Sequence, residues 1–412
     1  MTTAIVQDKI AKSHASADTC CPACNSPDMH TFYEVRNVPT NSCILLETEA
    51  EARAYPVGDI ELSFCKSCGF IFNTAFDAKK TEYSGRYEET QAFSGTFNAF
   101  HKSLAQRLVT DFNLYQKDIL EIGCGKGEFL ALLAELGDNR GVGIDPGVHV
   151  ERIDSSAADR MKFIPDFYSE KYADHNVDFL ACKMTLEHIP DALNFMSTIR
   201  RGLGDQTDAI VFFQIPEALR IFRQCAFEDI YYEHCAYFSP GSLARLFRRA
   251  GFIVETIDIE YDDQYLTIQA RPAPLGDVNK LHNRSLEHED DIAELADLID
   301  TFPSRVGKTI GDWRARVSEA KSAGKTVALW GSGSKAVSFL SALPHPSDID
   351  HVIDINPYRR GFHMPITAHK ISGLDDLQSI RPDLVIVMNR IYEAEIRDAL
   401  TQRGLSPELC CL

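Results

Sequence analysis

Apolar and polar positions recur along much of this chain in one order: a short apolar run, a glycine turn, then apolar residues at helical spacing. In "KDILEIGCGKGEFLALLAELG" an apolar run ends at Glu121 and a turn follows with Gly123, Gly125 and Gly127. Phe129, Leu132, Leu133 and Leu136 then keep helical spacing until Gly137 stops it. A second strand, "GVGID", ends in Asp145, and "VDFLACK" and "AIVFFQIP" read as further buried strands. Upstream, "FNAFHKSLAQRLVTDF" places Phe97, Phe100, Leu104 and Leu108 on one helical face. This alternation predicts an α/β, doubly wound, Rossmann-like domain over residues 81–272.

The same logic returns near the C-terminus in "KTVALWGSGSKAVSFLSAL", "IDHVIDINPYRRG", "PDLVIVMN" and "YEAEIRDALTQRG". A second Rossmann-like domain is expected over 321–412, with Asp354 closing its second strand, and a diverged duplication would explain it. Residues 273–320 are polar, charged and helix-favouring, as in a connecting arm with a solvated face. Residues 1–15 read as a disordered tail.

Composition narrows the function. A chain of 412 residues is long enough for two or three cores. The formal charge of −18 argues against affinity built on neutralising a nucleic-acid backbone or an anionic membrane. No run nears the roughly 18 apolar residues of a membrane span, and the polar start lacks a signal-peptide core. The expectation is a cytoplasmic protein, monomer or homodimer, acting on a small molecule.

The 12 cysteines are clustered unlike those of a disulfide scaffold. Cys21-x-x-Cys24 and Cys65-x-x-Cys68 give two short turns whose thiolates can converge in a tetrahedron, as structural zinc requires. Cys20 or Cys43 could replace one ligand. A zinc-binding domain is expected over 16–80, with the metal holding the fold, because four thiolates leave no open coordination position.

The glycine turn lets a ligand approach the backbone at a helix N-terminus, where amide donors are free. Its spacing is GxGxG, Glu121 sits two residues before Gly123, and Asp145 is placed to accept both ribose hydroxyls of an adenosine. Asp166 and Phe167 follow the third strand, where a carboxylate can take the exocyclic amine of adenine beside an aromatic ring. Farther on, "LACKMTLEHIPDALNF" matches the fourth-strand region of class I methyltransferases that bind S-adenosylmethionine.

Together with "YYEHCAYFS" and "WGSGSKA…IDINPYRRG…PDLVIVMN", these motifs make the chain resemble the three-domain S-adenosylmethionine-dependent C-methyltransferases that act on nucleotide-linked deoxy-sugars. The resemblance runs from Cys21 nearly to the end. It implies that Tyr231, Glu233, His234, Tyr237, Phe238 and Ser239 line the acceptor pocket. A carbon next to a ketone becomes nucleophilic once a proton leaves. An imidazole can take that proton and tyrosine hydroxyls can donate to the resulting enolate. His234 is therefore the expected base and Tyr231 an enolate donor, with Glu233 orienting the imidazole or holding a substrate hydroxyl. His188 is the rival base.

The stretch before the methyltransferase domain, "EYSGRYEETQAFSGTFNAF", departs from the sugar enzymes. Tyr83 and Tyr87 both stand where the family has its substrate-facing tyrosine, Tyr87 being preferred, and the acceptor stays open between a deoxy-sugar and another ketone. Gly331, Gly333 and Lys335, with Arg359 and Arg360 nearby, could cradle a diphosphate or simply make a tight turn. Two other classes fit parts of the pattern: an RNA methyltransferase with a zinc-ribbon reader, and an NAD-dependent oxidoreductase or sugar-nucleotide-binding module.

Overall fold

The computed structural model describes residues 20–274 and 285–412, so the expected tail over 1–15 and part of the connector lie outside the described residues. The chain opens with an antiparallel pair, β1 (Met29–Pro39) and β2 (Val57–Cys65), followed by the short β3 (Ile71–Asn73). Next come β4 (Asp118–Ile122), β5 (Arg140–Ile144), β6 (Met161–Ile164), β7 (Phe179–Lys183) and β8 (Ile210–Pro216), all mutually parallel. All five residues of β7 are buried, as a strand covered by helices on both faces demands. Over helix Glu128–Gly137 the buried stripe is Phe129, Leu130, Leu133 and Ala134, whereas Leu132 and Leu136 are only half-buried at its edge.

Then β9 (Ala236–Tyr237) leaves this sheet to pair with β3, placing a piece of the central segment on the N-terminal sheet. A hairpin of β10 (Phe252–Glu260) and β11 (Tyr265–Pro272) returns to extend the central sheet antiparallel to β8. Its alternation is broken by a register shift between Val254 and Thr256, which hides its period in the sequence. The seven strands lie in the order β10-β11-β8-β7-β4-β5-β6.

Helix Ile292–Ser322 follows. Most of its charges lie on an exposed face, as expected, while Leu295, Ile299, Phe302 and Val306 form a buried stripe on the other. Phe302 meets Tyr33 and Phe222 edge-on at 5.2 and 5.0 Å between ring centres, tying the N-terminal sheet to the helix after β8. The chain ends in a parallel sheet of β12 (Val327–Trp330), β13 (His351–Ile353), β14 (Ile371–Ser372), β15 (Leu384–Val387) and β16 (Glu408–Cys411). Its order, β14-β13-β12-β15-β16, matches that of β6-β5-β4-β7-β8 strand for strand, so both sheets have a topological switch point beside their first strand. Among the described residues no helix is long and apolar enough to cross a membrane.

Phe302→Ala should cost about 3–5 kcal/mol, the price of an unfilled aromatic cavity, read as a lower midpoint in urea unfolding of the full chain.

Candidate active site

The two glycine turns use one hydrogen-bond scheme. After β4, Gly123 N–H donates to Ile144 O at 2.8 Å, and the Asp145 carboxylate accepts from Gly125 N at 3.0 Å and Gly147 N at 2.7 Å. After β12, Gly331 N–H donates to Ile353 O at 2.8 Å, and Asp354 accepts from Ser332 N and Asn356 N, both at 2.8 Å. Both carboxyl rims open onto one cavity of about 980 Å³. Its wall includes Glu121, Gly123, Gly125, Asp145, Asp166 and Phe167 from the first rim, and Gly331, Gly333, Lys335 and Arg359 from the second. Arg360 lies outside, paired with Asp375 and Asp376.

The stretch that departed from the sugar-enzyme pattern straps the two halves together. Thr90 donates to Glu128 at 2.5 Å on one side, while Glu88 accepts from Asn356 at 2.9 Å and Gln91 accepts from Tyr392 at 2.8 Å on the other. Tyr83 and Tyr87 both line the cavity, their rings edge-on at 5.4 Å.

His234 is buried yet lines this cavity. Its Nε2 bonds the Tyr231 hydroxyl at 2.8 Å and lies 4.0 Å from Glu187 Oε1. The His188 ring stands edge-on at 4.8 Å, with Nδ1 bonding the Tyr83 hydroxyl at 2.9 Å and Glu233 O at 3.1 Å. Burial, then the neighbouring His188, drives His234 well below the ordinary imidazole value, and burial takes His188 down to about 4. Both rings are thus neutral at physiological pH and able to accept a proton.

Four of the expected lining residues, Glu233, Tyr237, Phe238 and Ser239, are placed off the cavity wall, with Phe238 packed in the core and Ser239 capping helix Pro240–Arg249. The Glu233 carboxylate points away from the imidazole and accepts from Asn41 Nδ2 at 3.0 Å, Ser42 N at 2.9 Å and the Ser42 hydroxyl. Only its backbone carbonyl reaches the histidines. Tyr237 does not line the cavity, because β9 pairs it with Ile71 and turns its ring into the core.

Comparison with known proteins assigns the chain. Residues 97–257 match the family described as "Methyltransferase domain", and 271–404 match "C-methyltransferase C-terminal domain". The C-methyltransferase NovU of Streptomyces niveus is 23% identical over 376 residues, which span 86% of each chain. The chain belongs to the S-adenosylmethionine-dependent C-methyltransferases. A ubiquinone biosynthesis O-methyltransferase of Actinobacillus pleuropneumoniae is 29% identical over 136 residues, spanning 29% of this chain and 56% of that protein. Two solved structures align more loosely. A riboflavin-analogue dimethyltransferase from Streptomyces davawensis aligns at 20% identity and TM-score 0.35, over 43% of this chain and 56% of its own. The magnesium protoporphyrin IX methyltransferase of Synechocystis PCC 6803 aligns at 17% identity and TM-score 0.33, over 43% and 84%.

The first rim of this C-methyltransferase fits the donor. Gly123 and Gly125 have φ of +69° and +52°, and a Cβ on Gly123 would stand 2.0 Å from Thr185 Oγ1. A buried oxygen of Glu121 lacks a hydrogen-bond partner within the protein, and Glu89 Oε2 has only Lys126 Nζ at 3.5 Å, leaving acceptors for a polar ligand. Burial raises the pKa of Glu121 and lowers that of Lys183, each opposed by the other's charge. Asp166 is already held by Lys171, by Tyr172 OH at 2.6 Å and by Phe167 N at 2.8 Å, with Phe167 exposed at the rim.

The four cysteines Cys21, Cys24, Cys65 and Cys68 converge with every sulfur within 4.8 Å of the others. Cys21–Cys68 and Cys24–Cys65 are 3.7 and 3.6 Å apart, close to the roughly 3.8 Å edge of a tetrahedral zinc–thiolate site. Each turn closes with a left-handed residue, Asn25 or Gly69, whose N–H bonds back to Cys21 O or Cys65 O. Cys20 is exposed and Cys43 lies against Ser334 Oγ at 3.6 Å, so neither stands in for a ligand.

Sequence reasoning missed Glu187, although "LEHIP" displays it beside His188, and missed Asn41 and Ser42, which no motif marks. Gly123→Ala should weaken S-adenosylhomocysteine binding at least about 5-fold, since the left-handed backbone alone disfavours a Cβ by about 1–2 kcal/mol; calorimetry checks this.

Proposed function

We propose that this C-methyltransferase methylates a carbon next to a ketone, on a nucleotide-linked keto-deoxysugar, after His234 removes a proton from that carbon. One observation carries the reading: a neutral imidazole, flanked by a phenol, sits on the wall of the cavity that also holds the glycine turn. The bound sulfonium supplies an electrophilic methyl group. Glu121, Gly123, Gly125, Asp145, Asp166 and Phe167 hold the donor. His234 takes the proton at Nε2, and Tyr231, with Tyr87 or Tyr83 across the cavity, donates to the enolate oxygen. Glu233 is a positioning residue that clamps the 41–42 loop.

A nucleotide-linked acceptor is supported on the second rim. Arg359 of that rim and Arg220, from the helix after β8, line the cavity, both nearly buried, and each has an Nε without a hydrogen-bond partner within the protein. Helix Ser334–Ala342 begins there without a side-chain cap, leaving amide donors for an anion. On this reading residues 16–80 bind structural zinc through Cys21, Cys24, Cys65 and Cys68, 81–272 bind the donor, 273–320 connect, and 321–412 close over the acceptor.

Radiolabelled S-adenosylmethionine should transfer its methyl to members of a panel of uridine- and thymidine-diphosphate-linked 4-keto-6-deoxysugars, with a new C–CH3 seen by NMR. His234→Gln should lose at least about 10²-fold in turnover while keeping S-adenosylhomocysteine affinity; near-normal turnover would sink the base assignment. Elemental analysis should find one zinc per chain, and Cys65→Ser should lose it together with several degrees of thermal stability.

A further inference from the structure

Among the described residues, Glu187 is the least explained charge-bearing group. It is 1% exposed, both carboxyl oxygens lack a hydrogen-bond partner within the protein, and it nevertheless lines the cavity. A buried carboxylate with nothing bonded to it is costly, so its position calls for a reason. Its nearest cation-forming partner is His234 Nε2 at 4.0 Å, the atom to which the base reading assigns the proton. Glu233, the carboxylate next to that histidine in sequence, is committed to Asn41 and Ser42 and cannot serve.

We propose that Glu187 is the positioning carboxylate of this site: ionised, it stabilises the imidazolium that His234 becomes on taking the substrate proton. This rests on His234 as the base and adds the group that makes so buried a ring able to carry charge. Without it, burial and His188 both oppose protonation of His234. With it, the ring and the carboxylate form an ion pair only while the proton is held, so the attraction is strongest after abstraction and absent before. No further reactant is needed: the proton passes from the acceptor carbon to Nε2, and Glu187 keeps its own protonation state.

The groups around Glu187 come from several elements. His188 is adjacent in sequence, and Cys235 Sγ donates to the Glu187 backbone carbonyl at 3.6 Å. Tyr231, Tyr83, Cys182 and Tyr265 lie within its electrostatic reach, and Asp229 and Lys335 act on His234 from the far side with opposite signs. None of the groups beside Glu187 is a permanent cation, and burial raises its carboxyl to about 8. His234 itself lies far below neutrality. Lys183 and Glu121, on the same cavity wall, are also moved to about 8, so the ionisation assigned to Glu187 is the one that Glu187→Gln removes from the His234 ring: the stabilising carboxylate is present above that value and lost below it.

The test uses the full chain loaded with S-adenosylhomocysteine and labelled with nitrogen-15 at histidine. The His234 ring signals should move with a midpoint near pH 8, and this inflection should vanish in Glu187→Gln and return, displaced, in Glu187→Asp. Calorimetry with S-adenosylhomocysteine establishes that each variant is folded. On a keto-sugar that serves as acceptor, Glu187→Gln should lower kcat on the order of 10²-fold, less than the ~10⁴ of a directly bonded triad carboxylate, leave acceptor KM within a few-fold, and remove the acid limb of kcat/KM. An unchanged His234 titration in Glu187→Gln, or a flat one in the wild type, overturns the proposal. The NMR arm needs no turnover, so it fails independently of the base reading, which Glu187 leaves untouched and His234→Gln decides.

Discussion

Two residue pairs, Ile71 with Tyr237 and Phe72 with Ala236, hold the site together. Through them β3 carries β9, and Asn73 N–H adds a bond to Cys235 O at 2.9 Å, so the loop bearing Tyr231 and His234 hangs from the N-terminal sheet. That sheet leads straight from the cysteine cluster, since Cys65 ends β2 and Cys68 lies three residues before β3. The histidine is thus placed by a module outside the domain that carries the glycine turn, and the four-cysteine cluster, which shares a core with Cys235 and Ala236, bears on it mechanically. Asn41 and Ser42, bonding the Glu233 carboxylate, anchor the same loop from its other end.

Burial governs the electrostatics that follow. His101 is held down to about 2 by burial and by Lys183, whose ammonium bonds it and stands 3.9 Å over the Phe129 ring. His188 and His234 are lowered, Glu187 and Glu121 raised, in each case first by desolvation. The cavity wall is therefore rich in ionisable groups whose neutral forms are favoured by desolvation. Arg220, Arg359 and Asp229 on the same wall stay charged, and the two arginines are only partly bonded.

Both parallel sheets were legible because glycine turns and buried apolar runs are local signals. Glu121, Gly123, Gly125, Asp145, Asp166 and Phe167 fell on one rim for the same reason: each is tied to a strand end, and strand ends in this topology converge. What stayed hidden depends on pairing across long sequence distances. Nothing near residue 233 says that its carboxylate is claimed by residues 41 and 42, and nothing near residue 237 says that a strand 166 residues earlier will turn its ring inward. The β10–β11 hairpin was lost to a bulge, and in the helix Ile292–Ser322 the solvated face was legible but the buried stripe was hidden among more numerous charges.

Two sheets of like topology open their carboxyl rims into one chamber, one rim bearing the glycine turn of a methyltransferase and the other a similar turn flanked by arginines. On the proposed assignment, the nucleotide end of the acceptor is gripped from the second rim, while its reacting carbon meets Tyr231 and His234 of the half that also holds the donor. Altered taste for a new nucleotide end can then arise by remodelling the distal half, while the alkylating half is inherited intact.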